Sequence, residues 1–347
     1  MPLTIVYGVI SGGITMKSTI NEQYGINVQE ITKMGGFDSF RMHRTQFLIV
    51  PIPDLDDEEL YEVFYFSQFM IENREPYIAS MVLTKQNHLS FEKDSMKYVL
   101  LKYSNVSKRK GIQQGRDLAR FHQKARAFPY QVTKTNRIGQ WKNLWEKRLD
   151  QLESFWHGKV HSQPLNRFEK IFVESFPYYL GLAENAIQYL VDTEIDEEPL
   201  SIDSGTICHH RFFYRTWNDE LNVKLPTEWV FDHGSRDIAE YMRDLFFEKL
   251  SDAHSLSYRF LEEYNRITPL SPFSYRLIYS RLLFPLHYFE CIENYYLAAE
   301  DMKQNYEKRL LQILERSGQY EMFLKSYTNM LAMNTNRIAL PTVEWLK

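Results

Sequence analysis

"ICHHRFFYRTWND", residues 207 to 219, raises the question of what chemistry its run of histidines, arginine and aromatics can perform. An apolar strand runs into His209, His210 and Arg211, then into Phe212, Phe213 and Tyr214, then into Thr216 and Asn218. A loop that activates a hydroxyl needs a group able to accept a proton. A guanidinium stays charged at any relevant pH and offers only donors. Whether this chain catalyses anything therefore turns on residue 211.

The stretches on either side place this loop in a fold. Downstream, "TEWVFDHG" reads as a second short strand ending in Asp232, and "SRDIAEYMRDLFFEKL" as a helix that Ser235 caps and that carries Ile238, Met242 and Leu245. Upstream, "IGQWKNLWEKRLDQLESFW" repeats Trp141, Trp145, Leu149, Leu152 and Trp156 at steps of three and four, the pattern of a packed amphipathic helix. "NRFEKIFVESFPYYLGLAENAIQYLVDT" is helical, with Pro177 kinking or dividing it. Toward residue 330 the chain stays helical, with Ser271 and Pro272 opening one segment and Pro285 interrupting it.

Before about residue 104 the pattern changes. "FRMHRTQFLIVPI" (40 to 52), "YIASMVL" (77 to 83) and "MKYVLLKY" (96 to 103) read as strands. Between the first two, Leu60, Val63, Phe64, Ser67 and Met70 follow helical spacing behind an acidic first turn. The expected organisation is an N-terminal extension or edge segment over 1–24, a β-rich lobe with one helix over 25–104, and a mainly helical lobe over 105–347.

Composition limits the partners. With 41 basic and 45 acidic residues the net charge is −4, which supplies no general attraction for nucleic acid or an anionic membrane. The opening "MPLTIVYGVISGGITMK" lacks a basic leader and is broken by Gly12 and Gly13, so it reads as neither signal peptide nor span. The two cysteines, Cys208 and Cys291, lie in aromatic contexts that predict burial, not a disulfide framework.

Three stretches together carry a resemblance. "GRDLARFHQKA" (115 to 125), "ICHHRFFYRTWN" and "WVFDHGSRDIAEYMRDL" resemble, in that order, a helix, the catalytic loop and the metal-binding strand with its following helix in aminoglycoside and choline kinases. Within that superfamily "LARFHQKARAF", the Trp-rich segment and "YSRLLFPLHYFECIENYY" resemble the CotS and YutH type of spore coat proteins. The resemblance implies an α+β, bilobal protein-kinase-like fold. It also implies synthesis in the mother-cell cytoplasm, then residence in the spore coat with other coat proteins as partners.

Carried onto this sequence, the resemblance exposes gaps. Arg211 stands where the family has its catalytic Asp, and Thr216 stands at its Asn position, with Asn218 two residues further on. The strand "QFLIVPI" offers Val50, Pro51 and Ile52 where a phosphate-binding lysine belongs. Lys33 and Arg41 flank "KMGGFDSF", whose Gly35 and Gly36 form either a phosphate loop or an ordinary hairpin turn. Asp232 alone keeps the register of a metal ligand. The triplet Cys208, His209 and His210 cannot converge on zinc from one strand, because neighbours point to opposite faces. His209 and His122 read as supports of the loop.

Loss of general-base catalysis alone costs about 10² to 10⁴ in rate. The reading is therefore a kinase-like coat protein without phosphotransferase activity and with no cofactor. The alternatives are an active small-molecule phosphotransferase that uses Mg-ATP through relocated groups, or a pseudoenzyme that holds ATP.

Overall fold

The structure, a computed structural model, describes residues 13–104, 113–162, 164, 166–217 and 220–334. In chain order it begins with α1 (Gly13–Tyr24), β1 (Thr32–Met34), β2 (Phe37–Met42), β3 (Thr45–Pro51), α2 (Asp57–Glu72), β4 (Ser80–Met81), β5 (Ser90–Lys93) and β6 (Met96–Ser104). Then come α3 (Gln114–Ala125), α4 (Trp141–Ser162), α5 (Arg167–Asp196), β7 (Thr206–His209), β8 (Trp229–Asp232) and α6 (Ser235–Glu248). Helices α7 (Ala253–Asn265), α8 (Pro272–Leu283), α9 (Leu286–Leu297), α10 (Glu300–Glu315) and α11 (Ser317–Asn334) complete it. Packing groups the chain into two units, residues 1–136 with 205–237 and residues 137–204 with 238–347. The change of element type at residue 104 is thus distinct from the division by contact. No helix of the described residues is long and apolar enough to cross a membrane.

The first unit is built on an antiparallel sheet in the order β1-β2-β3-β6-β4, with β5 also on β6. Its centre is β3, where Phe47, Leu48, Ile49 and Val50 are all buried, as expected for an uninterrupted apolar run covered on both faces. One side gathers Phe40, Phe47, Ile49, Phe91 and Leu100 against Met16 and Ile20, one helical turn apart on α1. The stretch over 1–24 thus contributes a docked helix from Gly13 onward. Helix α2 starts in a capping box between Asp56 and Glu59, and buries Leu60, Val63, Phe66, Ser67 and Met70. Phe66 takes the inward place that periodicity assigned to Phe64, because the buried face of the helix is rotated toward Phe66.

Two local expectations change. "YIASMVL" forms ladder pairs with β6 only at Ser80 and Met81, since Ile78 is bridged instead to Lys224. Ser235 is the first helical residue of α6, and its amide donates to His233 Nδ1 at 3.0 Å. In the first unit β7 and β8 form a separate two-stranded antiparallel ribbon, with His209 opposite Trp229 and Thr206 opposite Asp232.

The second unit is helical. Trp141, Trp145, Leu149 and Leu152 of α4 are buried, and α5 continues unbroken through Pro177. Ser271 accepts the amide of Ser274 at 2.9 Å with Pro272 following, and Pro285 separates α8 from α9. A buried network links α6 to α8: Glu240 accepts from Arg243 Nη1 and from Arg281 Nε, each at 2.9 Å, and the Arg281 guanidinium lies 4.8 Å from the centre of the Trp141 ring. Arg243 also donates to the carbonyl of Phe284 at 3.2 Å. One carboxylate thus serves two nearly dehydrated guanidinium groups. Glu240→Gln leaves both cations uncompensated, and removing one member of a buried ionic set costs roughly 3–5 kcal/mol. The expected outcome is a urea midpoint lowered accordingly, with an unchanged denaturant slope.

Candidate functional site

The site is assembled within the first unit around Asp237, a residue the sequence reading did not single out. Its carboxylate accepts the His209 amide at 2.9 Å, His209 Nδ1–H at 2.7 Å and His122 Nε2–H at 3.2 Å. His122 belongs to α3, His209 to the end of β7 and Asp237 to the first turn of α6, so one buried anion joins three elements. Burial penalises this charge, but the His209 and His122 groups outweigh that penalty and hold the carboxyl well below the usual carboxylate range. Burial dominates at His122, whose pKa is pushed down to about 4 although Asp237 opposes the shift. His122 is therefore neutral at pH 7.

Cys208 adds a sulfur to this hub. Its Sγ, the His122 ring and Asp237 lie within 4.8 Å of one another, a donor set that zinc could use. Each group is already engaged, however. The thiol donates toward the carbonyls of His233 at 3.4 Å and Asp232 at 3.6 Å, and burial pushes its pKa well above the ordinary value. The hub acts as hydrogen-bonded support for the loop.

Asp232, which the family resemblance would place as a metal ligand, is almost fully buried. One of its oxygens accepts the His233 amide at 2.7 Å, and the other accepts Arg236 Nη1 at 2.7 Å. The same guanidinium donates through Nε to the His209 carbonyl at 2.9 Å and through Nη2 to that of His210 at 3.4 Å. A fixed cation thus ties the metal-ligand strand to the loop backbone. Arg211 is half-buried and donates to the His210 carbonyl at 2.9 Å.

The remaining loop is packed inward. The Phe212 ring is fully buried, 5.0 Å from both His209 and Trp217, and Thr216 Oγ1 accepts the Phe213 amide at 2.8 Å. Gln114 Nε2 binds the carbonyl of Tyr214 at 2.6 Å. Asn218 lies outside the described residues.

On the sheet side, Gly35 and Gly36 both have positive φ and form the two-residue turn of the β1–β2 hairpin. Lys33 is spent on its cross-strand partner Asp38 at 2.8 Å and is largely exposed. Arg41 binds the His43 carbonyl at 3.1 Å. Val50 and Ile52 are buried in the sheet where a lysine would stand. In protein kinases a helix carboxylate holds that lysine. Here Glu62 of α2 instead accepts the amides of Thr133 at 2.7 Å, Lys134 at 3.0 Å and Thr135 at 2.7 Å. Burial would raise its pKa, but these amides and the Thr135 hydroxyl hold it below the usual value.

Sequence comparison identifies the relatives of this arrangement. The family described as "Spore coat putative kinase YutH" matches residues 17–327. The chain belongs to the YutH family. It is 46% identical over 332 residues to the endospore coat-associated protein YutH of Bacillus subtilis (strain 168), covering 95% of this chain and 98% of that one. Among solved structures, an aminoglycoside phosphotransferase from Alicyclobacillus acidocaldarius matches with a TM-score of 0.65 at 15% identity, over 94% of this chain and 97% of the other. A microcompartment-associated aminopropanol kinase matches with a TM-score of 0.60 at 10% identity, over 94% of this chain and 100% of the other. These likenesses establish the kinase-like α+β fold of this YutH-family chain.

The hub makes stability dependent on pH. Between the ordinary histidine value of 6.5 and the folded value of about 4, the unfolded chain takes up a proton that His122 refuses, so stability falls as pH falls through that window. The loss by pH 4 is about 3 kcal/mol. Below the ordinary carboxylate value of 3.8, protonation of Asp237 adds a loss in the same direction. Urea midpoints measured from pH 7 to 4 are expected to decline in the native protein and to decline less in His122→Asn, which has no group to titrate there.

Proposed function

We propose that this protein is a non-catalytic, kinase-like component of the endospore coat that acts by binding other coat proteins. Its synthesis in the mother cell and deposition on the forming spore belong to the same reading. Coat association comes from the family; the absence of phosphotransfer is argued from the site.

The observation that carries the reading is the Arg236 guanidinium on Asp232. Phosphoryl transfer relies on Mg²⁺ held by protein carboxylates and nucleotide phosphates together. Here a permanent cation already neutralises the one carboxylate in register, and it also binds two loop carbonyls. A dication at the same carboxylate would have to displace a guanidinium that makes three hydrogen bonds. Arg211 at the base position removes proton acceptance independently. Arg236 thus supplies internally the bridge between strand and loop that an active kinase obtains from its metal.

Thermal unfolding and isothermal titration with Mg-ATP test the reading. A ligand at a hundredfold excess over its Kd stabilises by about 2.7 kcal/mol. The native protein is expected to show no such magnesium-dependent gain and no phosphate transfer to hydroxyl or amine acceptors. Arg236→Ala leaves Asp232 buried and unpaired, at a cost of roughly 3 kcal/mol, and Mg²⁺ is expected to restore part of that loss. A saturable Mg-ATP signal with the native protein selects the ATP-holding alternative, and transfer to an acceptor selects the active kinase.

A further inference from the structure

The chain that follows the loop runs beneath the sheet from the glycine turn to the strand by which the chain leaves the sheet. At the first end Glu220 Oε2 accepts the Gly35 amide at 3.3 Å. Leu221 lies directly against Gly35, where an added Cβ would stand 2.6 Å from Leu221 Cγ. At the other end Val223 lines a cavity of about 180 Å³ with Tyr77, Ile78, Tyr103 and Ser104. Leu221, Asn222 and Val223 are all buried.

This path is the one a nucleotide takes in a kinase-like fold, with its phosphates beneath the glycine-rich turn and its base beside the exit of the last strand. We infer that Glu220 and Leu221 are a built-in occupant of the phosphate end of the nucleotide position, with a carboxylate in place of a phosphate, and that Val223 narrows the cavity at its other end. A nucleotide gains access only when these side chains withdraw. The inference rests on the non-catalytic reading above and extends it to the mechanism by which the site is closed.

Lys224 anchors the far end of the segment. Lys224 is buried with its Nζ on Glu75 and 4.2 Å from the centre of the Trp217 ring. Its amide donates to the Tyr77 carbonyl at 2.7 Å, and its carbonyl accepts the Ala79 amide at 3.0 Å. Trp217 and Asn222 have φ of 67° and 50°, a left-handed backbone that costs such residues energy unless the surroundings impose it. Removing the side chains that fill the position, with Lys224 retained, should therefore open it while the segment stays attached.

The test compares the native full-length chain with Glu220→Ala/Leu221→Ala/Val223→Ala. Binding of ADP without divalent metal is followed by saturation-transfer NMR, and amide exchange is followed at Gly35 and over residues 220–224. A site closed by its own segment has an apparent affinity reduced by the fraction that is open. The triple variant is expected to bind ADP at least about tenfold more tightly than the native protein, with faster exchange at Gly35. ADP bound equally well by the native protein, or a folded triple variant that does not bind, overturns the inference. If the variant fails to fold, the native protein decides: a Gly35 amide exchanging at the rate of an open hairpin turn overturns it, and protection supports it. ADP binding by the native protein without phosphate transfer would sink this inference alone, whereas transfer from Mg-ATP would sink the non-catalytic reading.

Discussion

The carboxylate of Asp237 organises the site. It is buried from water, where an isolated charge is costly, and it survives because two imidazole N–H groups and one backbone amide converge on it. Those donors come from α3 and from the end of β7, so satisfying this one anion fixes where the loop emerges relative to the helix beneath it. Thr206 reinforces the same junction by donating to the His122 carbonyl at 2.9 Å. The end of β7, where the loop begins, is thus held in place by a buried carboxylate and its three donors.

Around that fixed point, groups on β8, the glycine turn and α2 have internal partners. Arg236 binds Asp232, Glu220 takes the Gly35 amide, and Glu62 caps the backbone of residues 133–135. The buried carboxylate of Asp232 is thereby satisfied without a ligand.

Asp232 is paired with Arg236. Arg236 sits four residues after Asp232, on the start of α6, where its side chain reaches the carboxylate and the carbonyls of His209 and His210 together. The motif drew attention to Arg211, which fills the base position, and gave no mark of Arg236, because a motif does not determine which long side chain reaches a given carboxylate.

The sequence by itself determined the order of most elements, the burial of the Trp-rich helix, the two proline-marked helix boundaries and the lack of a proton acceptor at residue 211. These are local matters, set by periodicity, by caps and by the chemistry a residue type can or cannot perform; arginine cannot accept a proton in any fold. The docking of α1 was not legible, because Met16, Ile20 and Tyr24, which face the core, stand among polar neighbours in a short helix. The tertiary structure alone decided which groups meet: Asp237 with His122 across more than a hundred residues, Glu75 with Lys224, and Glu220 with Gly35. Such meetings depend on the exact path of the backbone, and a charge or a glycine in a sequence carries no mark of the partner that will satisfy it.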